Sequence, residues 1–129
     1  MGDAVPGHFS ELIGVELLDL GAEEARARIA IEDQHKQPDG VVHGGVHASL
    51  AETVASAATA AAVRDDGMIA LGQANNTTFL RPVLGGNLNA TARARRRGRS
   101  IWIWDVELSD DEGDLCALVR MTIAVRPRR

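Results

Sequence analysis

The chain has 129 residues, 45% hydrophobic and 25% charged, which fits a single soluble globular domain over residues 1–129 and excludes intrinsic disorder. A formal net charge of −4 argues against general affinity for nucleic acid, and the lone cysteine, Cys116, excludes an intramolecular disulfide. Aromatic residues make up only 3% while alanine is abundant, above all across residues 48–62, so the interior should be filled by backbones in close approach.

In chain order, residues 6–13 read as a short helix with Phe9, Leu12 and Ile13 on one face. Residues 14–20 and 24–31 read as two strands around Gly21. In the second, Ala25, Ala27, Ile29 and Ile31 alternate with Arg26, Arg28 and Glu32, the period-two pattern of a half-buried strand. Residues 33–42 form a polar connection with Pro38 and the turn signal Asp39-Gly40. A long helix follows over residues 45–64, ended by Asp65-Asp66-Gly67. Three or four more strands are expected, within residues 68–80, 87–95, 100–108 and 115–125. Leu88, Ala90, Ala92 and Ala94 mark the inner side of the second of these, and Trp102, Trp104, Val106 and Leu108 that of the third. In the last, Leu115, Ala117, Val119, Met121, Ile123 and Val125 alternate inward. Arg97-Gly98-Arg99 and residues 110–114 supply the hairpin turns.

Two strands, one long helix and a run of antiparallel strands make an α+β fold with one helix against one sheet. The helix holds His47, Glu52 and several hydroxyls, unlike a membrane span. The first residues lack the basic and apolar regions of a secretory leader, so a cytoplasmic location without a membrane partner is expected.

On a helical wheel Val46, Leu50, Val54, Ala57 and Ala61 share one side, and Glu52 points away from them. Taken alone, that places Glu52 in solvent. A solvated helix face usually carries several charges, however, and Glu52 is the only carboxylate between residues 44 and 63, where neither Lys nor Arg occurs. Its neighbours Ala48, Ser49, Thr53, Ser56, Thr59, Ala60 and Val63 are all small. A helix small and uncharged all round should be buried on most sides. One sheet covers one face, so a second chain is expected on the other. Glu52 is then a carboxylate in a partly dry interface, where desolvation and specific partners tune reactivity. Ser56, one turn on, is within hydrogen-bonding reach of it.

His43-Gly44-Gly45 opens this helix. Glycine is a poor helix former, so two in succession point to a close backbone approach. Amides of the first helical turn lack internal partners and sit at the positive end of the helix dipole. A carbonyl oxygen placed on the Gly44 amide would be polarised, and an oxyanion forming there stabilised. His43 and His47 lie four residues apart, but without a third nearby ligand they make a poor metal site, and no metal is expected. No G-x-S-x-G nucleophile elbow and no dinucleotide or P-loop glycine pattern is present.

Over residues 14–125 the chain resembles the hotdog-fold thioesterases of the phenylacetate-degradation (PaaI-like) type. The resemblance rests on Gly40-Val41-Val42-His43-Gly44-Gly45, an acid nine residues after His43, and Asn76-Thr77-Thr78-Phe79-Leu80-Arg81-Pro82. It implies an antiparallel sheet wrapped around the long helix, protomers paired as dimers and often doubled to tetramers, and no cofactor. It implies further that Glu52 is the catalytic carboxylate, acting as nucleophile or as general base on water. Gly44 is then the glycine whose amide polarises the thioester carbonyl, and His43 its positioning neighbour. Gln37 assists near the carbonyl or leaving group, and Ser56 supports the nucleophile or water. In such enzymes Glu52 and Ser56 face Gln37 and Gly44 of the partner subunit. The Gln, Glu and Ser combination is more like the hydroxybenzoyl-CoA and related aryl-CoA subgroup. Some members carry a histidine near the position of Thr78; Asn76 and Thr78 are taken as candidate substrate-binding residues.

Arginines crowd residues 93–99, and a local basic cluster on an acidic protein suits the phosphates of a nucleotide-bearing substrate such as coenzyme A. Arg97, Arg99 and Ser100 are the candidates. No aromatics interleave these arginines, as a nucleic-acid stacking platform would need. The expected activity is hydrolysis of an acyl-CoA thioester, aryl or medium-chain. The alternatives are a noncatalytic acyl-CoA or acyl-carrier binding protein and a hotdog enoyl-CoA hydratase using His43.

Overall fold

A computed structural model describes residues 7–129. It comprises α1 (His8–Ile13), β1 (Val15–Leu20), β2 (Glu24–Ala30), a 3-10 turn (Asp33–His35), α2 (Gly44–Val63), a second 3-10 turn (Arg64–Asp66), β3 (Met68–Phe79), β4 (Asn87–Arg97), β5 (Ile101–Ser109) and β6 (Leu115–Pro127). The six strands form one antiparallel sheet in the order β1-β2-β4-β5-β6-β3. The link from β2 to β3 therefore runs from the second strand to the far edge of the sheet, and α2 makes that crossing packed against all six strands. No helix among the described residues is long and apolar enough to cross a membrane.

The strand alternations hold. Ala25, Ala27, Ile29, Leu88, Ala90, Ala92, Trp104, Val106, Leu108, Ala117, Met121 and Ile123 are all buried against the helix. Alanines on β2, β4 and β6 and Ala51, Ala55 and Ala58 of α2 are buried in one core, so much of the helix–sheet packing is between small side chains. Trp104 is fully buried at the centre, with the buried Trp102 ring 6.0 Å away. Its indole N–H donates to the Thr59 hydroxyl at 2.8 Å, which in turn donates to the Ala55 carbonyl at 2.8 Å. Leu115 departs from the pattern: a register shift beside Ser109 leaves it 37% exposed and buries Cys116 instead.

Two helical expectations are corrected. The buried face of α2 runs through His47, Leu50, Ala51, Val54, Ala55, Ala58, Thr59 and Val63, while Val46, Ala57 and Ala61 are only half-buried. Where nearly every side chain is small, a wheel has little contrast from which to choose a face. In α1, Phe9 and Leu12 are exposed and Ile13 is half-buried; Ser10 is the buried residue, with its hydroxyl 3.4 Å from that of Thr53. Pro6, the expected start of this helix, lies outside the described residues.

Strand β3 differs from the rest. It is an edge strand of twelve residues, half-buried at its first three positions and mostly exposed after them. A bulge between Gly72 and Ala74 inverts its alternation. Before it Ala70 and Gly72 pair with the buried Val125 and Ile123; after it Asn75, Thr77 and Phe79 pair with the buried Met121, Val119 and Ala117. Those residues share the concave side, and Asn76 and Thr78 turn outward.

Candidate active site

The start of α2 is held by His43, whose backbone is extended and whose Nδ1 accepts the Gly45 N–H at 2.8 Å. The His43 N–H donates to the His35 carbonyl at 2.8 Å, which ties the helix entrance to the preceding loop. With Gly45 capped, the Gly44 amide finds no acceptor among the described residues. A Cβ on Gly44 would lie 2.8 Å from Phe79 Cζ, so the glycine is what lets this ring close over the helix start.

Gln37 lies beside this amide on a tight turn. Its N–H donates to the Val41 carbonyl and its carbonyl accepts the Gly40 N–H, each at 2.9 Å. Its side-chain Oε1 accepts the Asp39 N–H at 2.7 Å, which leaves Nε2 as a donor available to a ligand. Gln37 and Gly44 line one cleft of about 520 Å³, walled by Val41, Val42, Phe79 and Leu80. His47 also lines it and is buried, and its ring meets Phe79 edge-on at 5.7 Å. Burial pushes the His47 pKa below its ordinary value, against a smaller opposing effect from a hydrogen bond to the His43 carbonyl. The neutral ring acts as wall. Arg81 at the rim pairs with Asp114 at 3.5 Å.

Glu52 lies two turns further along α2, exposed within the chain. Its carboxylate rests on β3: Oε1 is 3.4 Å from Asn75 Nδ2, and a Cβ on Gly72 would come 3.3 Å from Oε2. Ser56, half-buried, is one turn beyond. Eight residue steps of helix separate Gly44 from Glu52, about 12 Å along the axis. One chain thus carries a donor cleft and a carboxylate that cannot both touch one carbonyl group.

The other candidates are not drawn into this region. Asn76 and Thr78 line a different hollow, on the outer face with Asp105, Glu107, Leu118 and Arg120. Arg97, Arg99 and Ser100 sit in the β4–β5 hairpin, at the end of the sheet where α2 finishes; Arg97 pairs there with Glu23 at 3.3 Å. No group of three or more His, Cys, Asp or Glu that could hold a metal occurs among the described residues. Sequence reasoning missed Gly72, Asn75 and the ring of Phe79. The signal for the first two was a glycine inside a strand, which often marks a bulge.

A sequence profile of the thioesterase superfamily matches residues 39–117, more than half of the chain and the whole span from Asp39 through α2 and β3. The chain belongs to the thioesterase superfamily. Among its relatives, a 1,4-dihydroxy-2-naphthoyl-CoA hydrolase of Listeria monocytogenes is 32% identical over 121 residues, 94% of this chain and 98% of that protein. Two solved structures are similar throughout. The thioesterase HI1161 of Haemophilus influenzae has a TM-score of 0.87 at 32% identity, covering 92% of this chain and 82% of that one. The thioesterase PA1618 of Pseudomonas aeruginosa, solved as a variant, has a TM-score of 0.87 at 31% identity, covering 92% and 86%. The sheet wrapped on one helix is thus the hotdog fold, and the protein is a thioester hydrolase of the acyl-CoA hydrolysing kind.

Proposed function

We propose that residues 1–129 form one thioesterase domain that hydrolyses aryl-CoA or medium-chain acyl-CoA esters, at sites shared between two copies of the chain. The observation that carries this reading is the separation of the two halves of the site. The Gly44 amide and Gln37 Nε2 are donors without acceptors among the described residues, in a largely apolar cleft, and Glu52 is about 12 Å further along the helix. Phe79 of β3 lies over Gly44, and Gly72 of the same strand lies under Glu52. A two-fold axis near Asn75 and Asn76 exchanges these ends and sets Glu52 of one chain beside Gly44 of the partner subunit. The edge itself supports such pairing. β3 has no charged residue in its twelve, although exposed edges are normally blunted by charge or proline. Doubling of the dimer to a tetramer and a cytoplasmic location belong to the same reading.

In the shared site the thioester carbonyl oxygen accepts the Gly44 N–H, with the helix dipole behind it, so negative charge developing on that oxygen is stabilised. Glu52 either attacks the carbonyl carbon or takes a proton from a water that does. In the first course the C–S bond breaks to release the coenzyme A thiolate, which gains a proton, and water hydrolyses the resulting anhydride. Single turnover in oxygen-18 water separates the courses, since label enters the Glu52 carboxylate only through the anhydride. Gln37 donates to the carbonyl or the leaving group, and Ser56 holds Glu52 or the water. The apolar walls suit an apolar acyl group, and the naphthoyl-CoA activity named for the Listeria relative favours an aryl one. Arg97, Arg99 and Ser100 are assigned to the phosphates of coenzyme A. His43 commits Nδ1 to the helix cap, so the hydratase reading gains no support from it.

Thiol release from benzoyl-, hydroxybenzoyl- and octanoyl-CoA tests the assignment. Glu52→Ala is expected to lower turnover by about a thousandfold or more, with Glu52→Asp retaining a small part. No release from any ester by the wild type rejects the substrate class, and undiminished release by Glu52→Ala rejects the carboxylate.

A further inference from the structure

The bulge in β3 has a chemical outcome at the Glu52 carboxylate. Without it, the alternation set by Ala70 and Gly72 would turn Ala74 and Asn76 toward the helix; with it, Asn75 and Thr77 face inward. Asn75 then reaches α2 with both sides of its amide engaged. Nδ2 donates to the Ala48 carbonyl at 3.0 Å and to Glu52 Oε1 at 3.4 Å. Oδ1 accepts the Thr77 hydroxyl at 2.7 Å. These partners fix the amide's orientation, because the flipped group would set Oδ1 against the Ala48 carbonyl oxygen and Nδ2 against a hydroxyl. The backbone of Gly72 closes from below, where a Cβ would be 3.3 Å from Oε2.

We propose that Asn75 is a positioning residue for the Glu52 carboxylate, itself aligned by Thr77, and that the β3 bulge exists to aim it. The inference rests on the thioesterase reading of Glu52. Glutamate has three rotatable bonds and this one is exposed, and among the described residues Asn75 makes the one hydrogen bond to its carboxylate. With Oε1 held by Asn75, Oε2 is the oxygen free to meet a carbonyl carbon or a water. Such a constraint acts on the reacting geometry and not on substrate affinity, so its removal lowers kcat and leaves KM nearly unchanged. Bulges that re-aim a side chain beside a reactive group are a recurrent use of this irregularity.

The test compares Asn75→Ala, Thr77→Val and Thr77→Ser with wild type by thiol release from benzoyl-CoA, with dimer content checked by sedimentation. Loss of one such hydrogen bond corresponds to a fall in kcat of about tenfold for Asn75→Ala, with KM within about twofold. Thr77→Val, which keeps the shape and removes the hydroxyl, is expected to fall by about threefold, and Thr77→Ser to match wild type. A second readout needs no turnover: the carbon-13 resonance of the Glu52 Cδ should move in Asn75→Ala and Thr77→Val and stay in Thr77→Ser. If wild type is active and Asn75→Ala keeps its kcat, the proposal is overturned while the thioesterase reading stands. If wild type releases no thiol, the resonance decides alone, and an unmoved Glu52 signal in Asn75→Ala overturns the proposal. A fall in kcat for Thr77→Ser equal to that for Thr77→Val removes Thr77 from it.

Discussion

Asn75 and Met121 occupy the same rung of the sheet, one on β3 and one on β6, and both face the helix. Met121 is fully buried between strands on either side, whereas Asn75 is exposed and bonds the edge of the helix and the Glu52 carboxylate. Moving one strand outward thus turns a core position into a site position. Strands β4 to β6 supply the alternating apolar residues that hold the fold together. β3 supplies small and polar ones, including Gly72 against Glu52 and a ring at Phe79 over Gly44. On the proposed reading, stability and chemistry are carried by different strands of one sheet.

The sharpest way to break that division is to separate the halves of the site between two chains. Gly44→Val and Glu52→Ala should each be inactive alone. Mixed and reassociated in equal amounts, they should recover about a quarter of wild-type activity, because half of the dimers are mixed and each of those has one intact site. No recovery on mixing would place the whole site within one chain. Next in size is the rung itself. Met121→Ala is expected to lower stability by about 2–5 kcal/mol in chemical denaturation and leave kcat of the folded protein unchanged. Asn75→Ala should do the reverse, and a large stability loss there would erase the contrast.

A smaller effect concerns His47 on the covered side. Burial lowers its pKa, so the folded protein holds it neutral while the unfolded chain protonates it near the ordinary value of 6.5. The unfolded state then binds more protons below that value. Stability is therefore full above about pH 6.5 and declines as the pH falls below it. Tm measured from pH 7.5 down to about pH 5 should drop more in wild type than in His47→Gln; equal slopes would refute the assignment. Smallest is Arg120→Ala on the outer face. Its paired contacts with Asp105 at 2.8 and 3.0 Å are exposed, so the loss should stay under about 1 kcal/mol.

Much of this could be read from residue order. Period-two patterns located β2, β4, β5 and β6, because each has one face in the core and one in solvent. The isolation of Glu52 in an uncharged helix and the glycine pair after His43 marked both halves of the proposed site, since charge and backbone freedom are costly to place at random. The inner face of β3 was not legible. A bulge is a backbone event, and the run Asn75-Asn76-Thr77-Thr78 gives no apolar contrast to reveal which member turns inward. Asn76 and Thr78 were the natural choices and face the other way in this chain. The face of α2 escaped for a related reason, since alanine on every side leaves the packing to the sheet.

The uncharged edge of β3 also sets a hazard for the newly made chain. Until it meets its proper neighbour, a twelve-residue strand with Leu71 and Phe79 exposed is a template for any unpaired strand nearby. Docking of a second copy and misassociation compete for the same unpaired edge. In the proposed shared-site dimer the partner chain would then cover this edge as well as complete the site.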